Sequence, residues 1–174
     1  MNPETYRIPI EIAHKILATF GITSPTRAYE RWVKNDGFDL KDFDEVLYES
    51  PFIFIVDWQA CLQDELESIR DSLARLDVHL DLELDSDGES GHVVAYGQRL
   101  AIAYRPNDDS DFDNVIRNLQ TVVPDNIEFR ASPHNGESDT ALYAVLPQDE
   151  WADLESIARE VIKYFFAPLS SKTG

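Results

Sequence analysis

Val78-His79-Leu80-Asp81-Leu82-Glu83-Leu84-Asp85 alternates aliphatic with polar residues and puts carboxylates at 81, 83 and 85. Strand side chains alternate between faces, so this spacing predicts a strand with one apolar face for a core and one acidic face for solvent. Ser86-Asp87-Gly88-Glu89-Ser90-Gly91 then predicts a turn. Residues 92–96 and 99–104 follow as two further strands joined at Gly97-Gln98, where a leading glycine supplies the positive φ of a hairpin loop. Three strands in tight succession pair antiparallel, because a parallel connection needs a long crossover.

Working outward from this meander, Phe52-Ile53-Phe54-Ile55-Val56 is an unbroken apolar run after Pro51, as expected for a central strand covered on both faces. Leu62, Leu66, Ile69, Leu73 and Leu76 recur at three- and four-residue spacing, which predicts an amphipathic helix over about 58–76. Glu67 with Arg70, and Asp71 with Arg75, suit its solvated side. Downstream, Ser110 and Asp113 form a capping-box pattern opening a helix with Phe112, Val115, Ile116 and Leu119 inward. Strands are expected over 127–131 and 140–146. A last helix starts near Pro147, with Asp149 and Glu150 in its first turn and Trp151, Leu154, Ile157, Val161 and Phe165 as its buried stripe.

The order from residue 52 is β-α-β-β-β-α-β-β-α, which defines an α+β class: a mainly antiparallel sheet of about six strands with helices largely on one side. Residues 1–50 read as short helices interrupted at Gly21, Ser24-Pro25, Asp36-Gly37 and Asp39. The expected organisation is an N-terminal helical segment (1–50) packed on an α+β body (51–169), with a frayed tail (170–174).

The chain has 174 residues, the size of one ordinary domain. With 43% hydrophobic residues and 19 aromatics, its charge decorates a packed core and does not signal disorder. That charge is lopsided: 15 Lys and Arg stand against 33 Asp and Glu, and residues 51–124 alone hold 15 acids and 5 bases. Residues 5–34 are mildly basic through Arg7, Lys15, Arg27, Arg31 and Lys34. Such a surface repels nucleic acid and anionic membranes over most of its area and attracts basic partners. No apolar run approaches the length that spans a bilayer. Met1-Asn2-Pro3-Glu4 lacks the basic and apolar regions of a secretory signal, and Cys61 is the single cysteine, so a cytoplasmic protein without an internal disulfide is expected.

Sites with familiar chemistry are not found. Glu83-x-Asp85-x-Asp87-Gly88 follows the start of an EF-hand loop, but the twelfth position is Val94 where a bidentate Glu is required. His14, His79, His92 and His134 form no metal-ligand spacing, and no nucleophile elbow or phosphate-binding glycine loop occurs. His79 and His92 near Asp81 offer a conceivable acid–base pair across paired strands. Residues 16–34 have the outline of a helix-turn-helix, with Gly21 in the turn and Thr26, Arg27, Tyr29, Arg31 and Lys34 toward DNA. Leu17 is large where that motif takes a small residue, and the acidic remainder opposes phosphate. The expectation is a non-enzyme without cofactor or metal, with a DNA-binding regulator as the alternative.

The acidic body, the closing Leu142-Tyr143-Ala144-Val145-Leu146-Pro147-Gln148-Asp149-Glu150-Trp151 and the following Phe165-Phe166-Ala167-Pro168-Leu169 resemble small cytoplasmic immunity proteins of bacterial toxin–immunity systems, such as contact-dependent inhibition. The resemblance covers about residues 52–169 and carries over no individual residue. It implies a non-catalytic inhibitor that binds and occludes one cognate toxin, often a nuclease with a basic cleft. From charge alone, the candidate partner-binding residues are Asp81, Glu83, Asp85, Asp87 and Glu89, with Asp108, Asp109, Asp111 and Asp113 as a second cluster. Tyr96 and Tyr104 are candidate aromatic anchors.

Overall fold

The computed structural model describes residues 6–23, 38–57, 59, 61–105, 112–135, 137 and 139–169. Along the chain these form β1 (Arg7–Ile8), α1 (Ile10–Thr19), β2 (Phe38–Asp39), α2 (Leu40–Leu47), β3 (Ile53–Asp57), α3 (Leu62–Ala74) and β4 (Asp81–Leu84). They continue as β5 (Ser90–Ala95), β6 (Gln98–Ala103), α4 (Phe112–Gln120), β7 (Ile127–Ala131), β8 (Thr140–Pro147), α5 (Gln148–Phe165) and β9 (Ala167–Pro168). The fold is α+β, and every strand pairing among the described residues is antiparallel. The strands divide among a β1-β2 pair, a four-stranded sheet in the order β3-β8-β7-β9 and a three-stranded sheet β4-β5-β6.

The four-stranded sheet separates two apolar clusters. On one face Ile53, Leu142, Ala144 and Leu146 pack with α1, α2 and α5; on the other Phe54, Val56, Phe129, Tyr143 and Val145 pack with α3, α4 and the small sheet. Helices therefore cover both faces of this sheet, where the sequence pattern placed them largely on one side. Short links reveal pairing but not which face a helix covers. Residues 52–56 also differ from their expectation. β3 buries Phe54 and Val56 on one face, but on the other Ile53 is buried while Ile55 is 43% exposed, and the strand bonds only to β8, at the sheet edge, while β8 and β7 are interior. An apolar run reports neither full cover of both faces nor hydrogen-bond neighbours.

The first helices belong to the core. Phe20, at the end of α1, lies 5.7 Å from the Trp151 ring and 5.5 Å from Phe166, and all three are fully or almost fully buried. α1 ends because Gly21 takes φ +73°: the Ile22 N–H reaches the Leu17 carbonyl at 2.8 Å and the Gly21 N–H reaches that of Ala18 at 3.0 Å. These two bonds make a Schellman ending. The buried Ser50 hydroxyl donates to the Phe20 carbonyl at 2.7 Å and accepts from the Phe52 N–H at 3.0 Å, tying the end of α1 to the entry of β3.

In α5 the expected stripe holds at Trp151, Leu154, Val161 and Phe165 but not at Ile157, which is 37% exposed. Ala158 leaves helical geometry (φ −149°, ψ 42°), and the buried face continues through Ala158 and Ile162. At about 100° per residue positions 151, 154, 158, 161, 162 and 165 share one arc of about 100°, and Ile157 lies about 40° outside it, so the expected stripe included one position beyond the buried face.

Candidate functional site

The alternation in residues 78–85 folds as its chemistry requires. Leu82 and Leu84 pack toward the cluster shared with α3 and α4, while Asp81, Glu83 and Asp85 are exposed. β5 lies between β4 and β6, with Glu83 opposite His92 and Val94 opposite Arg99. Arg99 reaches across β5, and its Nε and a terminal nitrogen each lie 2.9 Å from Glu83 Oε2. The Asp81 side chain has no ion pair or hydrogen bond among the described residues. Asp85 accepts from the Ser90 hydroxyl at 2.7 Å, Asp87 accepts from the Glu89 N–H at 2.9 Å, and Glu89 lies 3.6 Å from Arg105. The structure thus brings five of the candidate acids, 81 through 89, onto one hairpin. Two of them already hold surface arginines.

The turns fix this hairpin. Gly88 takes φ +70° and bonds back to the Asp85 carbonyl at 3.0 Å. At the opposite end Ala95 pairs with Gln98, so the two-residue loop is Tyr96-Gly97, one position earlier than the sequence pattern placed it. Both residues have positive φ, 48° and 77°, as a type I′ turn demands. Tyr96 stands at the tip, 60% exposed; Tyr104 is 6% exposed and stacks edge-on against Phe112, so it is a core residue and not an anchor.

The second cluster divides. Asp108, Asp109 and Asp111 lie outside the described residues. Asp113 turns to the fold, accepting from the Tyr143 hydroxyl at 2.6 Å and pairing with Arg117 at 3.2 Å. The Ser110 half of the capping box also lies outside the described residues, as do Thr26, Arg27, Tyr29, Arg31 and Lys34 of the helix-turn-helix outline. The proposed His79–His92 pair is not formed in the ladder: β4 begins at Asp81, and His92 faces Glu83. No group of three His, Cys, Asp or Glu among the described residues is arranged to hold a metal. No helix among them is long and apolar enough to cross a membrane.

Two features escaped the sequence reading. At the start of α3, Glu65 is half-buried beside Asp64 and Asp57, and desolvation followed by those two charges pushes its carboxyl up to about 7. Tyr104 shares this corner and is also raised, first by burial and then by Glu65 and Asp57. The second feature is a cavity of about 240 Å³ where the loop between β7 and β8 meets α2 and the end of α5. Asn135 staples that loop, donating to the Leu142 carbonyl at 3.2 Å and accepting from the Leu142 N–H at 2.8 Å. This displays His134, whose Nδ1 lies 3.4 Å from Glu137 and whose ring centre is 5.2 Å from that of Tyr164. Across the cavity stand Asp44 and, one helical turn on, Tyr48; burial raises both groups, and the neighbouring Asp44 is the second cause for Tyr48. An Asp and a Tyr four apart at a helix end are a weak signal alone, and only the fold brings residues 132–140 to them.

No protein-family model, curated protein or solved structure matches the chain.

Proposed function

We propose that the protein is a non-catalytic binding protein of the immunity type, which occludes a basic protein partner with the outer face of the β4-β5-β6 sheet. The observation that carries this reading is the exposure of Asp81, Asp85 and Asp87 on the β4-β5 hairpin, with Tyr96 exposed at the tip of the adjoining β5-β6 hairpin. A six-residue strand such as β5 spans about 20 Å, a length over which a row of carboxylates matches a cleft lined by Lys and Arg. Charge steers the encounter, and a desolvated aromatic supplies affinity at its end. The net charge of −18 favours a cationic partner over nucleic acid. Within this reading the partner is a bacterial toxin domain, often a nuclease, met in the cytoplasm.

The test is capture from a lysate of the source cells on the immobilised protein, followed by association kinetics with the captured species at low and moderate ionic strength. The reading expects one stoichiometric basic protein whose activity is blocked, whose association slows steeply with salt, and which is lost with Asp81→Asn/Asp85→Asn/Asp87→Asn. Tyr96→Ala weakens binding about tenfold or more, equivalent to about 1.4 kcal/mol. A salt-independent association rate, or capture untouched by these variants, overturns it.

A further inference from the structure

We propose that the cleft between α2, the end of α5 and the loop joining β7 to β8 binds an organic cation, a guanidinium or primary ammonium group of side-chain size, with the Asp44 carboxylate as its counter-ion. This site is independent of the acidic hairpin. Its lining belongs to the helical face of the four-stranded sheet, whereas β4-β5-β6 packs on the opposite face.

Charge selects the sign of the ligand. Among the described residues the lining holds no Lys or Arg, and Asp44 is its carboxylate. Glu45 follows Asp44 on α2, and Glu137 stands beside His134 on the loop, so three carboxylates stand around the opening against one histidine. An anion would meet repulsion from all three. Asp44 is partly buried and has lost part of its hydration, the first cause of its raised carboxyl. A cation that donates N–H bonds to it recovers that loss, and a charge-assisted bond is the strong kind.

Shape and wall chemistry select the ligand class. Tyr48, 40% exposed, and Tyr164 line the cavity and offer aromatic rings, which attract organic cations. Asn135 is consumed at both ends by the Leu142 backbone, and the His134 Nδ1 is engaged by Glu137. The lining sets the Asp44 carboxylate and the Ser132 and Thr140 hydroxyls, which can accept from a donor-rich cation, beside two aromatic rings. At about 240 Å³ the cavity falls below the ~300–1,000 Å³ of drug-sized pockets, so it admits one side chain or a small amine.

That head group has two sources, an Arg or Lys side chain of a protein and a free small amine. Titration of the isotope-labelled full chain, followed by NMR, uses acetyl-arginine-amide, a blocked Gly-Arg-Gly peptide and putrescine, with acetyl-citrulline-amide as the neutral isostere. The proposal expects saturable shifts at Tyr48, His134 and Tyr164, and binding of the citrulline analogue weaker by about tenfold or more. Asp44→Asn and Tyr48→Leu, with unchanged thermal midpoints, each lose about tenfold or more. Tighter binding of the blocked peptide than of putrescine supports a protein side chain, and the reverse order supports a free amine. Absence of saturable binding by every cation, equal binding of the citrulline analogue, undiminished binding by folded Asp44→Asn, or shifts confined to β4-β5-β6 overturns it. Only the last of these concerns the acidic face, so the two sites succeed or fail separately.

Discussion

The Arg130 guanidinium carbon lies 4.4 Å from the centre of the Trp151 ring, holding β7 against α5. Arg130 is 6% exposed and bonds to Glu128 at 2.8 Å and to Glu155, while the Trp151 indole N–H donates to the Glu128 carbonyl at 3.0 Å. Removing the cation strands two carboxylates, each still partly wetted at 24% and 30% side-chain exposure. Arg130→Ala is therefore expected to cost about 3 kcal/mol, the low end for a broken buried pair. The triple variant Arg130→Met/Glu128→Gln/Glu155→Gln should recover most of that loss. Urea midpoints at constant m-value check both; an Arg130→Ala cost under about 1 kcal/mol would mean that the pair is solvated and structurally idle.

Gly91 is the position where the acidic hairpin tolerates no side chain. It takes φ +149°, and a Cβ there would lie 2.4 Å from the Glu83 carbonyl oxygen and 2.6 Å from Leu84 Cα, both backbone atoms that cannot step aside. Gly91→Ala should cost about 1–3 kcal/mol in backbone strain and loosen amide-exchange protection over residues 81–95. Gly97→Ala has a positive φ but open space, so about 1–2 kcal/mol is expected without loss of the β4 ladder. Equal protection in the two variants would count against the close approach.

Glu65 gives stability a pH dependence of defined sign. Its carboxyl is raised to about 7 from 4.5, by burial first and then by Asp64 and Asp57, so between those values the fold holds a proton that the unfolded chain releases. Its contribution is fully present below about pH 4.5 and is lost as pH rises through about 7. Because the group is half-exposed, solvent screening cuts the effect to about 1 kcal/mol. Glu65→Gln should stabilise the protein by that amount at pH 8 and leave it unchanged near pH 4. Parallel stability curves for the two proteins across this range would refute the assignment.

What the sequence disclosed follows from which interactions are local. The alternation of residues 78–85, the heptad-like spacing of Leu62, Leu66, Ile69 and Leu73, and the turn glycines 88 and 97 act within a few residues, and each produced its element. The acid row was legible for the same reason, since one strand face is set by residue parity. What stayed hidden depends on distant partners. Asp113 reads as surface until Tyr143, thirty residues later, donates to it. Tyr104 reads as an anchor until Phe112 covers it, and the Asp44 cleft exists only because β8 carries residues 132–140 back to α2.

Ile157 and Ile162 stand about 140° apart around α5 at helical spacing, one beyond the edge of the buried face and one within it. Ile157 is 37% exposed and Ile162 1%, on either side of the break at Ala158. Ile157→Lys should then change stability by no more than about 0.5 kcal/mol, as for an ordinary surface substitution. Ile162→Ala removes buried methyl groups beside Trp151 and Phe165 in the same cluster and should cost about 2–5 kcal/mol. Thermal or urea denaturation of the two variants checks this: comparable losses at both positions would mean that Ile157 is buried as well. A large loss at 162 alone fits the observed burial, because residues 154, 158, 161, 162 and 165 fall within one arc of about 100° at helical spacing and Ile157 lies outside it.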